Sequence, residues 1–209
     1  MLRGLESIPV LAKAGGILPL SLDRGNAVKN PEKMDVWVFE GTGAYTLYED
    51  GLEMENSNVL FTDFATEFTE TEGACTQVLS ISTEGDKEII PQNREMKVRF
   101  KSVKNGTVRL FIDDEETEVK KRLTDCVEVV IPFDAEKKYR IEVTYPTQTR
   151  LEKWLERAQK VLTDAQGANP NKVQAYNALK QVTTEEEYVQ IIDSLPVDMV
   201  TKLRLKEIL

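Results

Sequence analysis

Thr76-Gln77-Val78-Leu79-Ser80-Ile81-Ser82 reads with a period of two, and Met96-Lys97-Val98-Arg99-Phe100-Lys101-Ser102-Val103 repeats the pattern. Alternation of this kind puts one face of a strand in a core and the other in water. Outward from this pair the same signal recurs. Phe61–Phe68 precedes it, and Thr107–Ile112, Val127–Pro132 and Tyr139–Tyr145 follow. Short strands separated by turns, with no long helix between them, predict an antiparallel β-sandwich rather than a parallel α/β sheet.

Further upstream, Asp35-Val36-Trp37-Val38-Phe39-Glu40 and Ala44-Tyr45-Thr46-Leu47-Tyr48 flank Gly41-Thr42-Gly43, and Glu49-Asp50-Gly51 ends the second run. Turn chemistry and strand propensity together predict a hairpin here. Ile8–Ala14 reads as a mostly buried strand, Gly15-Gly16 as a bend or bulge, Ile17-Leu18-Pro19-Leu20 as a second short strand, and residues 21–34 as loop.

After Pro146 the period changes. Leu151, Trp154, Leu155, Ala158, Val161 and Leu162 lie on one face of an amphipathic helix. Pro170, capped by Asn169, opens a second helix carrying Val173, Tyr176, Leu179 and Val182. Thr184 with Glu187 resembles a capping box before Tyr188, Ile191, Ile192 and Leu195. Pro196 is expected to start a last helix with Val197, Val200, Leu203 and Ile208. The fold class is therefore mainly β with an α tail: a sandwich followed by a small helical bundle. Trp154 is expected to anchor its helix, on the sandwich or in the tail's own small core. No internal repeat or low-complexity tract is visible.

The 209 residues are 41% apolar and carry a net charge of −9. Residues 1–146 hold 18 Lys+Arg and 27 Asp+Glu (18 − 27 = −9), whereas 147–209 hold 9 of each, so the charge breaks where the period does. An acidic chain argues against nucleic acid and anionic lipid as partners. No apolar run approaches the ~20 residues of a membrane span, and Met1–Glu6 has no apolar signal-peptide core. Cys75 and Cys126 are too sparse for a secreted disulfide scaffold and read as two free, mostly buried thiols in a reducing compartment, the cytoplasm, with a disulfide between them the alternative. Absence of histidine removes the usual metal, Ser-His-Asp and Cys-His chemistries. Carboxylate chemistry stays open.

Three groups of residues invite a functional reading. Glu49 and Asp50 are adjacent carboxylates, but neighbours on a strand point to opposite faces and do not converge on a sugar. The competing reading is a turn in which the Asp bonds its own backbone and Gly51 takes positive φ. Asp113-Asp114-Glu115-Glu116, followed by Lys120-Lys121-Arg122, lacks the spaced loop of a calcium site and reads as a solvated hairpin tip with opposite charges. Trp37, Tyr45 and Tyr48 could stack on pyranose rings, with core packing the default. No catalytic, cofactor-binding or metal residue is assigned, and no cofactor is called for.

Ile8-Pro9-Val10-Leu11-Ala12-Lys13-Ala14-Gly15-Gly16-Ile17-Leu18-Pro19 and Gly43-Ala44-Tyr45-Thr46-Leu47-Tyr48-Glu49-Asp50-Gly51 together resemble glycoside hydrolase family 31. That family has an Ile-Pro-Val-hydrophobic-Arg-Ala-Gly-x-Ile-x-Pro strand pair just after its catalytic barrel and a Leu-Tyr-Glu-Asp-Asp-Gly segment about 30 residues on. Here Leu18 and Tyr48 stand 48 − 18 = 30 positions apart. Lys13 replaces the usual Arg, and one Asp of the usual pair is missing. The resemblance covers about residues 5–60 by motif, extends to about 146 by character, and leaves out the helical tail.

What the resemblance implies is a retaining α-glucosidase-like parent, hydrolysing α-glycosidic bonds with two aspartates on an upstream (β/α)₈ barrel of the same polypeptide. No position of this chain matches those catalytic motifs. Residues 1–34 would then end a proximal C-terminal β-sandwich, 35–146 would form a distal one, and 147–209 a helical unit. The strand edges of 1–34 would be exposed or covered by a second copy in a homo-oligomer. The chain itself would be an accessory, scaffolding region. The alternatives are an independent carbohydrate-binding sandwich and a protein-interaction module working through the helical tail.

Overall fold

The computed structural model describes residues 11–23, 29–51, 58–123 and 126–208. The chain divides into two compact units, one over Leu11–Thr147 and one that includes Gln148–Leu209.

The first unit is a two-sheet sandwich. One sheet has the order β1 (Ile17–Ser21), β2 (Lys33–Val38), β6 (Glu95–Phe100), β10 (Val127–Pro132) and β9 (Lys120–Leu123). The other runs β3 (Gly43–Asp50), β4 (Val59–Thr71), β5 (Ala74–Gly85), β11 (Tyr139–Pro146), β7 (Thr107–Ile112) and β8 (Glu115–Thr117). Inward residues of both sheets fill one core: Val36, Val38, Met96, Val98, Phe100, Val129 and Ile131 from the first, Leu60, Phe64, Leu79, Ile81, Ile141 and Val143 from the second. The alternation read from the sequence is this inside–outside pattern, and the six strands expected from Phe61 to Tyr145 all form.

The expected hairpin over 35–48 does not form. β2 pairs with β1 and β6, whereas β3 pairs with β4, so Phe39–Thr42 crosses from one sheet to the other. The reason lies in the glycines. Gly41 has φ +127, and a Cβ on Gly15 (φ +71) would strike the Thr42 carbonyl. The Gly15 bend is therefore packed into the crossover, fixed by Gly15 N–H to the Glu40 carbonyl (2.9 Å) and Phe39 N–H to the Gly16 carbonyl (3.0 Å). Glycine there serves close approach of two backbones rather than a tight hairpin.

Other expectations are corrected at the same end. Leu11–Ala14 are exposed and not in a strand, while residues 8–10 lie outside the described residues. A boundary at 34/35 would cut β2, and β1 pairs with β2 along its length, so β1 belongs to the sandwich unit. β1 is an edge strand, and its Pro19 is tolerated there because an edge leaves one side unpaired. β2 and β6 run parallel, from Lys33 beside Glu95 to Val38 beside Phe100. Every other strand pair among the described residues is antiparallel.

The second unit holds α1 (Arg150–Asp164), α2 (Asn169–Lys180), α3 (Glu185–Ile191) and α4 (Met199–Lys206), with a short 3₁₀ turn at Ile192–Ser194. Trp154 is buried in this unit's own core with Ala158, Leu162, Leu179, Tyr188 and Ile192, its ring 5.3 Å from that of Tyr188. The unit thus has its own hydrophobic centre, to which Trp154 contributes. Thr149 and Glu152 form a full capping box on α1, a signal the sequence reading passed over. Thr184 accepts from Glu187 N–H, but the Glu187 carboxylate turns to Thr183 instead of closing the box. α2 has Asn169 as its first residue and Ala168 at the cap. α4 starts at Met199 under an Asp198 cap, not at Pro196. No helix among the described residues is long and apolar enough to cross a membrane.

Candidate functional site

β3 carries the residues most in question. Its even-numbered residues face outward and its odd-numbered ones inward, so Glu49 and Asp50 part company as strand geometry requires. Glu49 is buried, and Asp50 is exposed. Arg94, 1% exposed, grips the Glu49 carboxylate through Nη1 and Nη2, each 2.7 Å from an oxygen, and its Nε donates to the Pro31 carbonyl at 2.9 Å. This is a planar fork meeting a planar carboxylate, the strongest form of the pair. The expected turn at 49–51 is also corrected: β3 continues through Asp50, Gly51 does not take positive φ, and its N–H donates to Asn58 O. The Asp50 carbonyl accepts from Asn30 at 3.1 Å.

A second pair of buried carboxylates escaped the sequence reading. Asp35 and Glu128, 5% and 4% exposed, both lie on the outward face of the five-stranded sheet. Arg99 Nε sits 3.0 Å from Asp35 Oδ1 and 3.4 Å from Glu128 Oε2, and Lys97 Nζ is 3.9 Å from Glu128. The cross-strand register brings them together: Asp35 stands beside Lys97, Trp37 beside Arg99, and Arg99 beside Glu128. Glu49, Asp35 and Glu128 are each engaged by a cationic side chain.

The crossover is clasped by two polar side chains from the six-stranded sheet. Buried Gln77 accepts from Gly41 N–H (3.2 Å) and donates to Gly41 O (2.8 Å) and to the Thr66 hydroxyl. The Tyr145 hydroxyl donates to Glu40 Oε2 at 2.9 Å, and burial, then this carboxylate, pushes its phenol well above the usual range. A glutamine in an alternating strand looks solvated, so only its register opposite Phe68 and Val143 on an inward face reveals it.

The acidic run forms the β7–β8 hairpin, with Asp113 (φ 51) and Asp114 (φ 68) at its tip. Asp113 Oδ1 accepts from Lys138 N–H at 2.9 Å, and Glu116 pairs with Arg109 at 2.8 Å. Lys120-Lys121-Arg122 lies in β9 of the other sheet, so the opposite charges do not share one hairpin as expected. Among the described residues no group of acidic or thiol side chains could hold a metal ion. Cys75 and Cys126 are buried and in no disulfide.

Core packing of Trp37, Tyr45 and Tyr48 is overturned. Tyr48 is 53% exposed on the outward face of β3, and Tyr45, 43% exposed, sits near the start of this edge strand. Trp37 is half-buried on the outer side of its sheet, under Lys101 Nζ at 4.7 Å. The aromatic core is made instead by Phe64, Phe100, Phe133, Tyr139 and Tyr145. Neither protein-family profiles nor curated protein sequences match the chain.

Proposed function

We propose that this chain is a non-catalytic accessory region of a larger family-31-like α-glycoside hydrolase, stabilising a catalytic barrel carried elsewhere in the same polypeptide. One observation carries this reading: the residues that make the resemblance are spent on holding two sheets together. Gly15 is packed against the Gly41-Thr42-Gly43 crossover, and Glu49 is bound to Arg94 across the sandwich. The motif carboxylate is therefore buried in a structural pair and not presented to a sugar. A scaffold needs rigidity where its own sheets meet, and a bidentate buried pair together with a glycine-on-glycine contact provides it. Two buried cysteines that form no disulfide suit a reducing compartment, and we assign the cytoplasm.

The deciding experiment is to sequence the native transcript upstream of the Met1 codon. A continuous reading frame encoding an eight-fold β/α barrel is expected. An in-frame stop codon immediately upstream overturns the proposal. Purified chain should also release no nitrophenol from a nitrophenyl α-glucoside above a buffer blank, and turnover would place a catalytic centre within it.

A further inference from the structure

The outward face of β3, β4 and β5 is ordered in rows. Register puts Tyr48, Phe61 and Glu84 in one row and Thr46, Asp63 and Ser82 in the next. Phe61 is 38% exposed, and its ring centroid lies 5.7 Å from that of Tyr48, the planes inclined by 60°. A single exposed aromatic on a surface is ordinary. Two touching rings beside a row of hydroxyl and carboxylate groups are a more specific arrangement. The Thr46 hydroxyl donates to Asp63 Oδ1 at 2.5 Å and so holds that carboxylate next to the rings. Beyond it the next row is Ala44, Ala65 and Ser80, all small side chains, so the rings rise above a low floor.

From this geometry we infer that the outer face of the six-stranded sheet is a binding site for a neutral oligosaccharide. A pyranose has an apolar face of C–H bonds and a rim of hydroxyls. The face matches the aromatic rings, and the rim matches acceptors at Asp63 and Glu84 and hydroxyls at Thr46 and Ser82. These two rows contain two carboxylates and no cation, so an acidic sugar is repelled and a neutral one is not. The inclination of the rings favours a chain whose successive sugars turn relative to one another, as in an α-linked glucan, over a flat ribbon. This site does not depend on the proposed parent enzyme, because binding is read on this chain alone.

Affinity electrophoresis in gels containing glycogen, hydroxyethyl cellulose or polygalacturonate tests it. Retardation by glycogen is expected, with little by the other two. Tyr48→Ala with Phe61→Ala should weaken the glycogen interaction about tenfold or more, the scale of losing aromatic anchors. Ala65→Lys leaves both rings in place and should block the floor by bulk, so the inference survives a folding defect in the double variant. Unchanged urea midpoints show that the variants are folded. No retardation by glycogen, equal retardation by polygalacturonate, or retention in both variants overturns the inference. So does a dimer in size-exclusion chromatography that Tyr48→Ala dissolves, which would give these rings to a second copy.

Discussion

Arg94 and Glu49 are joined by two parallel hydrogen bonds of 2.7 Å in the interior of the sandwich, linking β3 of one sheet to the residue that leads into β6 of the other. Each charge is buried only because the other is there. Removing one partner leaves an unpaired ion in a site of low dielectric, which costs about 3–5 kcal/mol, whereas replacing both by apolar groups is often close to neutral. Arg94→Ala and Glu49→Ala should each lower stability by that amount in equilibrium urea unfolding. The double variant Glu49→Leu, Arg94→Met should recover most of it. Single variants within about 1 kcal/mol of the parent chain would mean that water reaches the pair.

Gln77 spends its whole amide on the crossover and on Thr66. Gln77→Ala strands both backbone groups of Gly41 and should destabilise by about 1–3 kcal/mol. The Gly41 amide should also exchange with solvent deuterium much faster. Unchanged exchange at Gly41 would show that the contact with Gly15 alone keeps the crossover closed.

The Tyr188 hydroxyl is buried and meets no hydrogen-bond partner among the described residues. Burial alone pushes its phenol up to about 12, against about 10 in an unfolded chain. Below pH 10 both states keep the proton. Between pH 10 and 12 the unfolded chain releases it and the folded one does not. Stability therefore falls across that window by about 1.4 kcal/mol per pH unit. Tyr188→Phe should remove this loss, measured as the alkaline shift in urea midpoint. At neutral pH it should be neutral or stabilising by up to about 1 kcal/mol, because it deletes an unsatisfied polar atom. A destabilised Tyr188→Phe chain would reveal a partner for the hydroxyl.

Trp154 stacks at a tilt on Tyr188 in the core of the helical unit. Trp154→Ala should cost about 3–5 kcal/mol. The loss should appear in the helical far-UV signal on heating. An unchanged melting temperature, with the helices still formed, would mean that the ring contributes little to this core.

The period-two strands from Phe61 to Tyr145 and the helical stripe from Leu151 to Leu162 were legible in the sequence because burial follows local periodicity. What periodicity does not encode is which sheet a strand joins. Asp35–Glu40 and Ala44–Tyr48 have every local mark of a hairpin, yet a non-local contact, Gly15 against Thr42, sends them to different sheets. Tyr48, expected in the core, is exposed for the same reason, since side-chain type suggests a face and only register decides it. Strand geometry already sends Glu49 and Asp50 to opposite faces, but the partner of Glu49, Arg94, 45 residues away, leaves no local trace.

The parallel ladder between β2 and β6 also bears on how the chain is made. Lys33 lies beside Glu95, 95 − 33 = 62 residues later. Such a pair cannot zip up from a turn, and closing so long a loop is slow. On the ribosome, β2 emerges with only β1 to pair with, and its other edge stays open until β6 has been synthesised. At roughly 5–20 residues per second, that edge is exposed for several seconds in each nascent chain. Synthesis speed through residues 39–95, rather than final stability, then sets how much of the product escapes aggregation.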